Sequence, residues 1–188
     1  MTHSRLCSVG DSPGDEAGNS MNDSLKQQVE LAIGNSFIEW LNRTTGSNFQ
    51  FDCVGANPPD LVYRDGDKTL PVEVSTSYYH KEDAIIRWKH ARRDPTAPTK
   101  WSKPLNEPDQ RLIADINKRI DEKCLGKYDL GTVLVIEIYP AITTKVEFEE
   151  LKDSIAIPNS IPFTAIYVAG DFPHSHDGPG GYFCWEVG

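Results

Sequence analysis

Residues 58–77 read PPDLVYRDGDKTLPVEVSTS, and their reading decides the fold. Two runs rich in β-branched and aromatic residues, LVYR at 61–64 and LPVEVSTSYY at 70–79, flank the turn Asp65-Gly66-Asp67. An Asp-Gly pair between two such runs marks a tight antiparallel hairpin, because glycine supplies the left-handed backbone that the turn needs. The Pro58-Pro59 pair punctuates the chain ahead of the first run, and FQFDCV at 49–54 supplies a preceding strand. In this hairpin Asp60 stands at the start of one strand and Glu73 in the middle of the next, so their carboxylates converge at one end of the sheet.

On the N-terminal side, Leu25, Val29, Ile33, Phe37, Trp40 and Leu41 recur at helical spacing behind Ser24 and Gln27, which resemble a capping box. The helix is expected to run from Ser24 to about 44–46. Residues 1–22 hold almost nothing to bury and are expected to form a disordered tail, with a single domain over 23–188. Met21, just ahead of the cap, is a candidate for the true start. On the C-terminal side, Pro108 and Asp109 open a second helix through 124, with Leu112, Ile116, Ile120 and Lys123 on one stripe. TVLVIEIY at 132–139 is a run rich in β-branched residues, as in a strand covered on both faces. A short helix over 145–155, a strand over 163–168, and a Gly-rich loop leading into an edge strand complete the chain. The fold class expected is therefore α/β, with a mixed central sheet and helices on both faces.

The composition agrees with one domain of this kind. At 188 residues, 38% hydrophobic and 25% charged, the chain falls in the globular range and not the disordered one. Its longest apolar run is far short of the roughly 20 residues that span a bilayer, and residues 1–22 lack the apolar run of a secretory signal. Four scattered cysteines without a CxxC pair favour a reducing compartment, so a soluble cytoplasmic protein is expected. The formal charge of −9 speaks against a protein that coats nucleic acid. That charge is uneven, however: residues 80–127 hold 12 Lys and Arg against 8 Asp and Glu. Tyr78, Tyr79, Trp88 and Trp101 lie among these basic residues, a mixture suited to stacking on bases and gripping a phosphate backbone. His174, His176, Cys184 and Cys53 are candidates for a zinc site, but their spacing matches no standard zinc motif and a His-x-His in a Gly-rich loop reads as a polar turn.

Glu30 on the first helix, Pro59-Asp60, then Glu73-Val74-Ser75, then a Lys-bearing helix and a buried strand together resemble the PD-(D/E)XK superfamily of restriction-endonuclease-like nucleases. The resemblance covers about residues 24–140. It implies an αβββαβ core and metal-dependent hydrolysis of phosphodiesters in nucleic acid, with DNA favoured over RNA. Asp60 and Glu73 would hold Mg²⁺ or Mn²⁺, hard cations that take oxygen ligands and keep the rest of their positions for water and phosphate. Glu30 would support the site. Many enzymes that cut both strands of a duplex act as dimers, so a homodimer is one candidate assembly. The family's motif ends in Lys where this chain has Ser75, which carries no charge. Lys123, on the stripe of the second helix, is the candidate to replace that Lys and polarise the attacking water, whereas Lys118 lies roughly opposite. The alternative is a degenerate nuclease fold that binds nucleic acid or a protein partner without catalysis.

Overall fold

The structure, a computed structural model of the chain, describes residues 17–56, 58–78, 87, 89, 96, 108–139, 143–174 and 180–188. Helix α1 (Ala17–Thr45) leads into strands β1 (Gln50–Val54), β2 (Leu61–Asp65) and β3 (Lys68–Ser77). Helix α2 (Pro108–Cys124), strand β4 (Val133–Ile138) and helix α3 (Lys145–Leu151) follow, and α3 runs into a 3₁₀ turn at Lys152–Ser154. Strands β5 (Ala165–Phe172) and β6 (Gly181–Glu186) close the chain. The order helix, three strands, helix, strand, helix, strand, strand is the one the periodicities predict.

All six strands form one mixed sheet in the order β1-β2-β3-β4-β5-β6. β1, β2 and β3 are successive antiparallel neighbours, β3-β4-β5 are parallel, and β6 returns antiparallel to β5. The β2-β3 hairpin closes at Asp65↔Lys68, with Gly66 in the left-handed region at φ 57°. Alternation along the strands splits the core into two layers. Val72, Val74, Val133 and Val135 pack with Ile33, Phe37 and Ile38 of α1. Leu134, Ile136 and Ile138 pack with Leu112, Ile116 and Ile120 of α2. The central strand β4 is thus covered on both faces, as its β-branched run predicts. Among the described residues, no helix is long and apolar enough to cross a membrane.

Several boundaries differ from expectation. α1 starts at Ala17, so 17–22 are helical and not part of a tail, and Ser24 lies inside the helix where it caps nothing. Once a helix is nucleated by packing, each added residue forms a further hydrogen bond at small cost, so a cap-like residue does not have to end it. The capping box stands at α3 instead: Thr144 Oγ1 accepts from Glu147 N, and Glu147 Oε2 accepts from Thr144 N. α3 is shorter than the 145–155 pattern because its last turn tightens to 3₁₀. β5 starts at Ala165 and extends to Phe172, beyond the 163–168 run, because β6 pairs with it through Phe172↔Gly181. The expected loop over 80–107 lies largely outside the described residues, as do Tyr79, Trp88 and Trp101. Arg87 and Lys89, which are described, are helical, in line with the turn expected around 84–91. Cys53 is disulfide-bonded, whereas Cys124 and Cys184 are free, so the reading of the cysteines as those of a reducing compartment finds no support at Cys53.

The lengths of β2 and β3 decide where a site can form. β2 has five residues and β3 has ten. Their pairing ends at Leu61↔Val72, whereas β3 continues beside β4 to Ser77↔Ile138. Residues 73–77 therefore keep β4 on one side and have no β2 partner on the other. The loop before β2 folds back through a hydrogen bond of 2.8 Å from Gly55 N to the Asp60 carbonyl, and this fixes Asp60 beside the open edge. A Cβ at Gly55 would collide with the Pro59 carbonyl oxygen, so only glycine fits there without a shift of that loop. Gly55→Ala is expected to lower stability by about 1–3 kcal/mol, as overpacking typically does. Urea unfolding with an unchanged midpoint would show that the loop has slack.

Candidate active site

The open edge of β3 forms the floor of a recess of about 310 Å³. α1 supplies one wall through Lys26 and Glu30, α2 the other through Arg119 and Lys123, and Ser75 and Tyr78 of the β3 segment line the space between. The two helices pack on opposite faces of the sheet, so the recess opens past the strand edge where β2 has stopped.

Asp60 is buried at 6% exposure and its Oδ2 accepts from Val74 N at 2.8 Å. The carboxylate thus takes the place of a strand partner at an N–H that β2 leaves unpaired, which explains why an Asp is tolerated there. Glu73 is buried further, at 2% exposure. It shares the α2-facing side of β3, where Lys123 donates from Nζ to Oε1 at 2.5 Å. Its other oxygen, Oε2, is buried without a hydrogen-bond partner. Burial pushes the Glu73 carboxyl above its ordinary value of 4.5, against the Lys123 hydrogen bond, and the charge of Asp60 adds to the rise. Glu30 is also raised, by burial and then by Asp60, against its ion pair with Lys26 at 3.0 Å. Glu30, Asp60 and Glu73 are therefore coupled electrostatically, with Lys26 and Lys123 as their counter-charges.

The sequence-predicted residues divide as follows. Glu30, Ser75 and Lys123 line the recess, whereas Asp60 and Glu73 are not among its lining residues: both are buried beside it, Asp60 bonded to Val74 N and Glu73 to Lys123. Lys118 pairs with Glu122 and is well exposed. The zinc reading does not assemble: His174 Nδ1 accepts from Gly180 N, Cys184 is buried in the α1-side core, and His176 lies outside the described residues. Sequence reasoning missed Lys26, Arg119 and Asp115. Asp115 Oδ2 accepts from Ser77 Oγ and Tyr78 N, which fastens the end of β3 to α2. The signal was present in the spacing, since 115, 119 and 123 recur at i, i+4 beside the apolar stripe 112, 116 and 120, and Lys26 stands four residues before Glu30.

The donor set fits a hard divalent cation in part. Glu73 Oε2 is an orphaned carboxylate oxygen beside a second carboxylate, and a small cation that keeps most of its waters needs only one or two such ligands. Among the described residues, no group of three or more His, Cys, Asp and Glu is placed to hold a metal. Compared with known protein families, characterised proteins and solved structures, the chain matches none.

The Glu73–Lys123 pair carries a pH prediction. The native pKa of Glu73 is raised, so between 4.5 and that value the native state binds more protons than the unfolded one. Its contribution to stability is complete below 4.5 and is lost as pH rises through the native value. Lys123→Met removes the partner and leaves a buried unpaired carboxylate, with an expected loss of about 3 kcal/mol at pH 7 that shrinks toward pH 4. Adding Glu73→Gln should restore most of the loss. Equal losses for Lys123→Met at both pH values in denaturant titrations would contradict the pairing.

Proposed function

We propose that the recess is the active site of a divalent-metal-dependent nuclease that hydrolyses phosphodiester bonds in nucleic acid. The observation that carries the reading is Glu73: a carboxylate kept nearly dry on a strand edge, with one oxygen on Lys123 and the other unpartnered. A purely structural Glu at such a place would have both oxygens satisfied or be replaced by an apolar residue, because burying an unmatched charge costs several kcal/mol.

In this reading Asp60 and Glu73 would hold Mg²⁺ or Mn²⁺, which when bound would supply Lewis-acid polarisation of a phosphoryl oxygen. Water forms a bond to phosphorus, the bond to the leaving oxygen breaks, the water's proton passes to solvent or a carboxylate, and the leaving oxygen is protonated. Lys123 holds a fixed positive charge on the α2 wall, where the family's motif places one through the residue occupied here by Ser75. An ammonium in that position offsets the negative charge that builds on the phosphate in the transition state. Asp60 keeps the strand edge in register through Val74 N, and Glu30 lends negative charge balanced by Lys26.

A second reading has an observation of its own. Lys123 already neutralises Glu73 at 2.5 Å, and Ser75 leaves the motif's charge on another element, which suits a site that binds nucleic acid without cutting it. Incubation of the purified protein with single- and double-stranded DNA and RNA in Mg²⁺ or Mn²⁺ separates the two. The nuclease reading expects cleavage that falls about 100-fold or more in Glu73→Gln and in Lys123→Met, both checked for folding by circular dichroism. Cleavage that survives Glu73→Gln, or no cleavage of any substrate with any metal, would overturn it.

A further inference from the structure

The recess is lined by a cation that the chemistry above does not use. Arg119 lines it one helical turn before Lys123, and Lys26 lines the facing wall. Arg119 is positioned by two carboxylates of its own helix: Nη1 donates to Glu122 at 3.3 Å, and Nε lies 3.5 Å from Asp115 Oδ2. That second contact is ionic only, since Nε is buried and makes no hydrogen bond. A buried guanidinium donor left unmet favours any ligand oxygen that can reach it, and a flat guanidinium fork matches a phosphate. Tyr78 adds an aromatic face to the same lining.

Resting on the reading of this recess as a nucleic-acid site, we infer that its substrate is a single strand, gripped at a phosphate by Arg119 and at a base by Tyr78. Three features favour a single strand over a duplex. The volume of about 310 Å³ sits at the lower end of pockets that enclose a ligand, and it is walled on two sides by helices. The chain's net charge of −9 leaves its cations local, where they meet a few phosphates and not the long rows that duplex binding engages. An aromatic side chain beside cations is the usual means of holding unpaired bases.

The test is fluorescence anisotropy of the full chain with labelled oligothymidylate, oligouridylate and a self-complementary DNA duplex, in EDTA so that no metal-dependent cutting occurs. The expected result is binding of one or both single strands at least tenfold tighter than the duplex, the two strands distinguishing a DNA from an RNA source. Arg119→Gln should weaken it about tenfold and reduce the slope of log affinity against log salt by about 0.7, one phosphate contact on a single strand. Arg119→Lys, which keeps the charge and its ion pairs, should retain part of the affinity and the full slope, and Tyr78→Ala should cost about tenfold with the slope unchanged. Duplex binding as tight as single-strand binding, no binding of either, or an Arg119→Gln protein of unchanged affinity would each overturn the inference. Binding without metal-dependent cleavage would overturn the nuclease reading and leave this one standing, and cleavage indifferent to Arg119 would do the reverse.

Discussion

A carboxylate on a strand edge with almost no water around it is the constraint on which the rest of the molecule depends. Glu73 lies between Val72 and Val74, both packed against α1, so strand alternation turns it to the opposite face, where α2 passes. The 2.5 Å contact with Lys123 sets how α2 lies over β3, because the ammonium must arrive while Leu112, Ile116 and Ile120 fill the α2-side core. Asp115 and Arg119 complete the same helix edge, with Asp115 holding the end of β3 at Ser77 and Tyr78. One helix thus presents an apolar stripe that stabilises the fold and a polar stripe that builds the recess.

The recess owes its existence to a mismatch in strand length. Had β2 been as long as β3, the N–H of Val74 would have bonded to a strand and the edge would have been closed. Because β2 stops at Leu61, the carboxylate of Asp60 takes over that bond, and the acidic group placed for a structural reason stands next to Glu73. The electrostatic coupling among Glu30, Asp60 and Glu73 follows directly, and so does the presence of Lys26 and Lys123 as counter-charges.

Much of this was legible in the chain. The Asp-Gly turn, the strand-like run 70–79 and the β-branched run 132–139 report backbone and burial preferences that act locally, and the hairpin, β3 and β4 followed from them. Where two local signals competed, the sequence misled: the Ser24 and Gln27 pair resembles a cap, but helix propagation through Ala17 overrides it. Asp60 and Glu73 stood out because charges in apolar surroundings are rare. Lys26 and Arg119 did not, since basic residues on a helix are ordinarily solvated, and only the tertiary placement of α1 and α2 at one strand edge separates these two from Lys118.

We propose that Asp60 and Glu73 share a cation beside Lys123. Crystals of the protein grown with Mn²⁺ and measured at its absorption edge locate that cation directly. The prediction is one anomalous peak within ligand distance of Glu73 Oε2 and the Asp60 carboxylate, absent in Glu73→Gln. A structure at saturating Mn²⁺ with the Glu73–Lys123 pair intact and no peak at the open edge of β3 would contradict it.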